Sequence, residues 1–152
     1  MRATLLTFHI LASCLWIGAN AVGLIVNRQL NPKATTVASD PWYFALVGVK
    51  KYLYPPLYVI ILVTGVLLIT AVDSTSFAFS DTFNIIGIAA VLIGAFLGMV
   101  YFEFQGRKIG QAFATGDMAT AGVIKTRMTI GQLVDMGIVL LATVAMVGLW
   151  GA

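Results

Sequence analysis

Polar side chains are rare in the apolar stretches of this chain, and those on the first stretch share one side of a helix. The only histidine, His9, lies there with Ser13, Trp16, Asn20 and Asn27. At 100° per residue all five fall in a narrow sector of a helical wheel. Lipid offers no hydrogen-bonding partners, so this sector should face other helices or a cavity.

The last apolar stretch holds Asp135, the residue that is most costly to bury in a bilayer. At about 1.5 Å per residue, Asn20, Tyr58 and Asp135 lie at one depth. The carboxyl is either protonated or charged and paired with a cation near the same surface. The candidate cations are Lys50, Lys51 and Arg127. This layer is therefore either a proton relay or ligand site, or a structural pin that holds helices together.

The same arithmetic places His9 and Met146 together in a second layer, nearer the opposite surface. Imidazole nitrogen and thioether sulfur are both ligands of haem iron. His9 is thus a candidate cofactor ligand or proton carrier, with a hydrogen-bonded interhelical histidine as the alternative. Met146 is a candidate second ligand or a packing residue. A single histidine excludes bis-histidine haem within one chain and the common three-ligand zinc sites, so His9 is a metal ligand only as a haem iron ligand.

Positioning these residues requires membrane-spanning helices. The 152 residues are 60% hydrophobic and 10% charged, and the mean hydropathy is +0.97. Four stretches reach the roughly 20 residues that a span needs, and they cover about residues 4–26, 52–72, 83–104 and 130–150. We predict an all-α polytopic membrane protein, a four-transmembrane-helix bundle forming a single domain over residues 1–152. The first helix is predicted to be an uncleaved span rather than a signal peptide.

The basic residues predict the orientation of the chain in its membrane. Arg28, Lys33, Lys50 and Lys51 flank the first loop, Arg107, Lys108, Lys125 and Arg127 flank the third, and the second has none. By the positive-inside rule the first and third loops face the cytoplasm and both termini lie outside, in the inner membrane of the cell. The lipid bilayer is therefore the expected partner. The net charge of +3 does not indicate nucleic-acid binding, because no basic patch with interleaved aromatics is present.

The second span is preceded by signals for a short interfacial helix. Asp40-Pro41 provides an N-cap followed by proline at the first helical position, and an aromatic run follows at Trp42, Tyr43 and Phe44. Pro55-Pro56 predicts a kink or break inside the span. Lys51, Tyr54, Tyr58 and Gly65 fall on a common face. We define the polar seam as the predicted inward-facing set, which comprises Ser13, Trp16, Asn20, Lys51, Tyr58, Gln132 and Asp135.

Glycines line one side of the third span. Gly87, Gly94 and Gly98 lie along it, and the last two form a GxxxG pattern that lets another helix approach closely. We expect packing within the chain, with dimerisation as the alternative. The apolar pattern continues to about Ala114, where Gly116 can end the helix and Asp117 can cap the next one. Helices three and four should therefore extend beyond the membrane, into the cytoplasm, as a hairpin.

Several short motifs together resemble a known group of proteins. They are Phe8-His9 with Trp16-Ile17-Gly18, then Lys51, Pro55-Pro56 and Thr64-Gly65, and finally Ala145-Met146-Val147. The pattern resembles the bacterial predicted integral membrane proteins of unknown function that are grouped with the HemJ-type protoporphyrinogen oxidases and the copper-resistance protein D membrane domains. This resemblance implies a haem-binding, electron-passing membrane protein, with haem b as cofactor, His9 as axial ligand and Lys51 as a functional basic residue.

Three functions are open at this point. The first is a haem-binding or redox-linked membrane protein. The second is an accessory or assembly subunit of a larger membrane complex, which the glycine side of helix three and the lack of a complete catalytic set would suit. The third is a small-solute or ion carrier that uses the layer of Asn20, Tyr58 and Asp135; with only four helices it would have to form a homo-oligomer.

Overall fold

The computed structural model describes residues 1–29, 41–72, 79 and 81–149. These residues form helices and a tight turn, without strands. The helices are α1 (Arg2–Gln29), α2 (Pro41–Leu67), α3 (Thr82–Phe96), α4 (Phe102–Ala114) and α5 (Met118–Leu149). A π-helical turn, Leu68–Val72, extends α2, and another, Leu97–Tyr101, joins α3 to α4 without interruption.

Four helical stretches within the described residues are long and apolar enough to cross a bilayer. They are Arg2–Arg28, Lys50–Thr70, Thr82–Ala114 and Met118–Gly148. Helices α1 and α3 each pack between α2 and α5, which gives a four-helix bundle. Large apolar side chains cover its outside, among them Leu11, Leu141 and Val144, which are more than half exposed. A bundle with polar groups inside and apolar groups outside is built for lipid, so the chain is an all-α membrane protein.

Helix α2 begins at Pro41 and runs through both prolines. The predicted interfacial segment and the second span thus form one helix, and the predicted break at Pro55-Pro56 does not occur. Two consecutive prolines remove two amide donors, which frees only the carbonyls of Lys51 and Tyr52, four residues earlier. Both of these residues are exposed. The predicted N-cap Asp40, the connector before it and most of the loop from Asp73 to Thr82 lie outside the described residues.

The predicted hairpin of α4 and α5 is confirmed. Helix α4 ends at Ala114, and Gly116 adopts a φ of +73°, a backbone conformation that favours glycine. Asp117 then caps α5, because its Oδ1 accepts a hydrogen bond from the Thr120 amide at 3.0 Å. The hydrogen bonds from Thr120 hold the pKa of the Asp117 carboxyl below its usual range. An apolar cluster built on Ile109, Phe113 and Ile124 packs the two arms together.

The glycine side of α3 faces the interior of the bundle. A Cβ added at Gly94 would overlap the Trp16 ring, and one at Gly98 would lie 2.8 Å from Tyr54 Cδ2. A Cβ at Gly87 would overlap the end of Met146. The three glycines therefore let side chains of the other helices reach the α3 backbone.

Substituting Gly94→Ala should lower the free energy of unfolding by about 1–3 kcal/mol, because the added methyl has to displace a buried indole. The free energy of unfolding is measured by following the helical content of the protein in mixed micelles while a denaturing detergent is added. Gly137→Ala is the matched control, since nothing lies within 4 Å of a Cβ there. Equal stability of the two variants would contradict the packing described here.

Candidate functional site

The carboxyl of Asp135 lies at the centre of the bundle with no exposed surface. Its Oδ2 atom accepts hydrogen bonds from two donors on α1, Trp16 Nε1 at 3.1 Å and Asn20 Nδ2 at 2.7 Å. Trp16 and Asn20 are four residues apart, so one face of one helix presents both donors to the same oxygen. The predicted layer thus brings Asn20 and Asp135 into direct contact.

The tyrosine that hydrogen-bonds to this cluster is Tyr54, whose hydroxyl donates to Asn20 Oδ1 at 3.0 Å. Asn20 thus accepts a hydrogen bond from α2 and donates one to α5, so it links the two helices. Tyr58 contributes its ring instead, packed edge-on against Trp16 with the centroids 5.0 Å apart. Its hydroxyl has no hydrogen-bond partner among the described residues. Tyr58 therefore lies in the predicted layer but not in its hydrogen-bond network.

Five buried side-chain atoms have no hydrogen-bond partner in the described part of the chain, and two of them belong to groups of opposite kind. These two are the Oδ1 atom of Asp135 and the Nζ atom of Lys50. Lys50 is only 5% exposed, and its Nζ atom lies 3.7 Å from the centroid of the Phe102 ring. The bundle thus buries both an amine and a carboxyl oxygen that no described residue hydrogen-bonds.

The lysine that enters the bundle is therefore Lys50, whereas Lys51 is exposed, as is Arg127. Gln132 is fully buried one turn before Asp135 on α5. Its Oε1 is 3.5 Å from Asn27 Nδ2, which also donates to Thr129 Oγ1 at 2.8 Å. Its Nε2 has no acceptor among the described residues. The polar side of α1 thus continues beyond Asn20 to the basic end of the bundle.

His9 lies in the other half of the bundle, where its Nδ1 is 2.9 Å from Thr64 Oγ1. The Thr64 hydroxyl donates its one hydrogen to the Ile60 carbonyl at 2.6 Å. With the hydroxyl hydrogen on this carbonyl, its oxygen accepts from His9, and in this tautomer the proton of a neutral imidazole lies on Nδ1. Nε2 then carries a lone pair. The sequence patterns did not predict this role of Thr64, which is buried on α2 three residues after the buried Ile61.

A partly open pocket adjoins His9, with an enclosed volume of about 80 Å³. Its walls are mostly apolar and include Gly65, Gly87 and Met146, so the two residues of the second predicted layer do line one space. A smaller void of about 20 Å³ continues inward between Ser13, Thr143 and Trp16. Ser13 and Thr143 each donate to a carbonyl one turn earlier on their own helix. Their oxygens remain able to accept hydrogen bonds.

The donor atoms of this pocket suit haem iron, since a neutral imidazole nitrogen and a thioether are both known ligands. The enclosed space does not suit the macrocycle. Pockets for molecules of cofactor size measure roughly 300–1,000 Å³, against about 80 Å³ here. With the helices packed as they are, a haem could reach His9 only by lying largely in the open mouth of the pocket.

Comparisons with known proteins give no match to a family model, to a curated protein or to a solved structure. The likeness to the HemJ-type group stays a prediction. Function therefore has to be inferred from the side chains inside the bundle.

Proposed function

We propose that this protein relays protons through the interior of its helical bundle, with Asp135 as the central proton-binding carboxyl. The observation that carries the proposal is that a carboxyl oxygen, Asp135 Oδ1, and an amine nitrogen, Lys50 Nζ, are both buried without a hydrogen-bond partner among the described residues. An ionisable residue deep in a membrane bundle is costly, by about 2.5–3.5 kcal/mol on insertion scales, and commonly marks a proton or ion pathway. Structural pinning alone needs only the Oδ2 atom that Trp16 and Asn20 already hold.

The void beside Trp16 is large enough for water but too small for a larger solute. It measures about 20 Å³, and a single water needs roughly 10–15 Å³. The polar atoms around it are His9 and the hydroxyl oxygens of Ser13 and Thr143, which can accept hydrogen bonds from such a water. This void therefore has room for a water-mediated proton step but not for a carried solute.

The orientation follows from the basic residues that flank the spans. Lys50, Lys51, Arg107 and Arg127 belong to the two loops predicted to be cytoplasmic in an inner membrane. In this arrangement Lys50 connects Asp135 to the cytoplasmic side. His9 and its pocket lie toward the outer side.

Reconstitution into liposomes tests the proposal. With the membrane potential clamped, the wild-type protein should dissipate an imposed pH gradient faster than protein-free liposomes. Asp135→Asn keeps the shape of the side chain but cannot exchange a proton, so it should slow the flux by at least about tenfold. A pH-sensitive dye inside the vesicles reports the rate. Lys50→Met should also slow it.

Asp117→Asn is the matched control, because it makes the same change at an exposed carboxyl in the turn before α5. Circular dichroism establishes that each variant is folded. Wild-type flux equal to that of empty liposomes, or equal flux in wild type and Asp135→Asn, would refute the proposal.

A second candidate, haem b binding linked to electron transfer, is favoured by one contact. The hydrogen bond to Thr64 orients the His9 ring and leaves the lone pair of Nε2 available for iron. In a metal-ligating histidine the other ring nitrogen is usually hydrogen-bonded in this way. Bound haem would supply one-electron chemistry. The residues of this chain would hold and orient it, with His9 as iron ligand and Met146 as candidate second ligand.

The absorption spectrum tests this candidate. If haem binds, protein expressed with haem supply should show a Soret band that His9→Ala removes and Asp135→Asn retains, because Asp135 belongs to the other layer. The absence of a Soret band from the wild-type protein, with haem supplied, would exclude haem.

A further inference from the structure

A cavity lies at the end of the bundle that carries Lys50 and Lys51. It measures about 280 Å³, many times what one water needs. Residues of α2, α4 and α5 and of the π-helical turn between α3 and α4 form its walls, and they are Lys50, Lys51, Pro55, Gly98, Met99, Phe102, Glu103 and Met128. Apart from the two lysines and Glu103, these residues are apolar.

The cavity is positively charged. Lys50 lines it while 95% buried, and no described residue accepts a hydrogen bond from its ammonium. Lys51 is exposed and adds a second positive charge. The one carboxylate in the lining, Glu103, is engaged by a salt bridge to Arg107. The charge left for a ligand is therefore cationic, so the ligand should be an anion.

The position of the cavity argues for an amphiphilic anion. Lys50 is the first residue of the spanning stretch Lys50–Thr70, and lysines at the end of a span suit the boundary where a bilayer changes from hydrocarbon to headgroups. Met99, which is 45% exposed, brings the wall out to the lipid-facing surface. Basic pockets between spanning helices on the cytoplasmic side are typical binding sites of anionic lipid headgroups.

We infer that this cavity binds the phosphate of an anionic phospholipid, with Lys50 and Lys51 contacting the headgroup and Met99 and Phe102 contacting its apolar part. None of the residues that line this cavity takes part in the hydrogen bonds around Asp135, but Lys50 also belongs to the proposed proton relay. The inference does not depend on proton transfer.

Native mass spectrometry of the protein in a neutral detergent, titrated with phosphatidylglycerol or phosphatidylcholine, measures the binding. The wild-type protein should prefer phosphatidylglycerol. Lys51→Gln should weaken that binding roughly fivefold, the effect of one surface lysine on an anionic lipid. Met99→Trp, which places a larger side chain in the wall, should weaken it as well. Lys108→Gln is the control, because Lys108 is exposed at the same end but does not line the cavity.

Lys51 is exposed, so its substitution should leave the fold intact even if Lys50→Gln fails to fold. Equal binding of the two lipids, or equal loss from Lys51→Gln and Lys108→Gln, would overturn the inference. Glycerol phosphate is the second arm: a lipid site should retain phosphatidylglycerol in its presence. Displacement by equimolar glycerol phosphate would identify a site for free phosphate and overturn the lipid assignment.

Discussion

The Asp135 carboxyl is buried where neither bulk water nor lipid supplies a hydrogen-bond donor. The packing of the bundle depends on supplying these donors from the protein. Trp16 and Asn20 meet that need at one oxygen, which fixes the register of α1 against α5. Asn20 in turn accepts from Tyr54 and ties α2 to the same point. Gly94 completes the arrangement, because only a residue without a side chain lets the Trp16 ring lie against α3. All four spanning stretches therefore meet at one buried carboxyl.

The two oxygen atoms of the Asp135 carboxyl differ in their hydrogen bonding, so we assign a structural role to Oδ2 and a chemical role to Oδ1. Its Oδ2 atom is fully engaged, whereas Oδ1 and the nearby Lys50 ammonium have no hydrogen-bond partner among the described residues. Such groups are expensive to bury, and stability alone would favour apolar replacements. A void of water size lies on the His9 side of the bundle, and a larger cavity lies beside Lys50. We therefore propose that the buried carboxyl and amine serve proton transfer.

Sequence patterns predicted the four spans, the α4–α5 hairpin and the contact of Asn20 with Asp135, because membrane burial forces polar residues onto one helical face. Helix α2 was harder to assign. Both tyrosines of the predicted face through Lys51, Tyr54, Tyr58 and Gly65 are buried. Lys51, however, is exposed, and the buried lysine of this helix is Lys50. Lys50 and Lys51 are adjacent, so a rotation of 100° exchanges them. Only the packing of α2 against α1 and α3 decides which lysine turns inward, and the sequence of α2 does not contain that information.

Infrared difference spectroscopy of the reconstituted protein tests directly whether Asp135 exchanges protons, because a protonated carboxyl group has its own C=O stretching band. We expect a carboxyl band that appears and disappears reversibly as the pH is changed. This band should be missing from Asp135→Asn and should persist in Asp117→Asn. A spectrum in which no band assignable to Asp135 responds to pH would contradict the claim that this buried carboxyl exchanges protons.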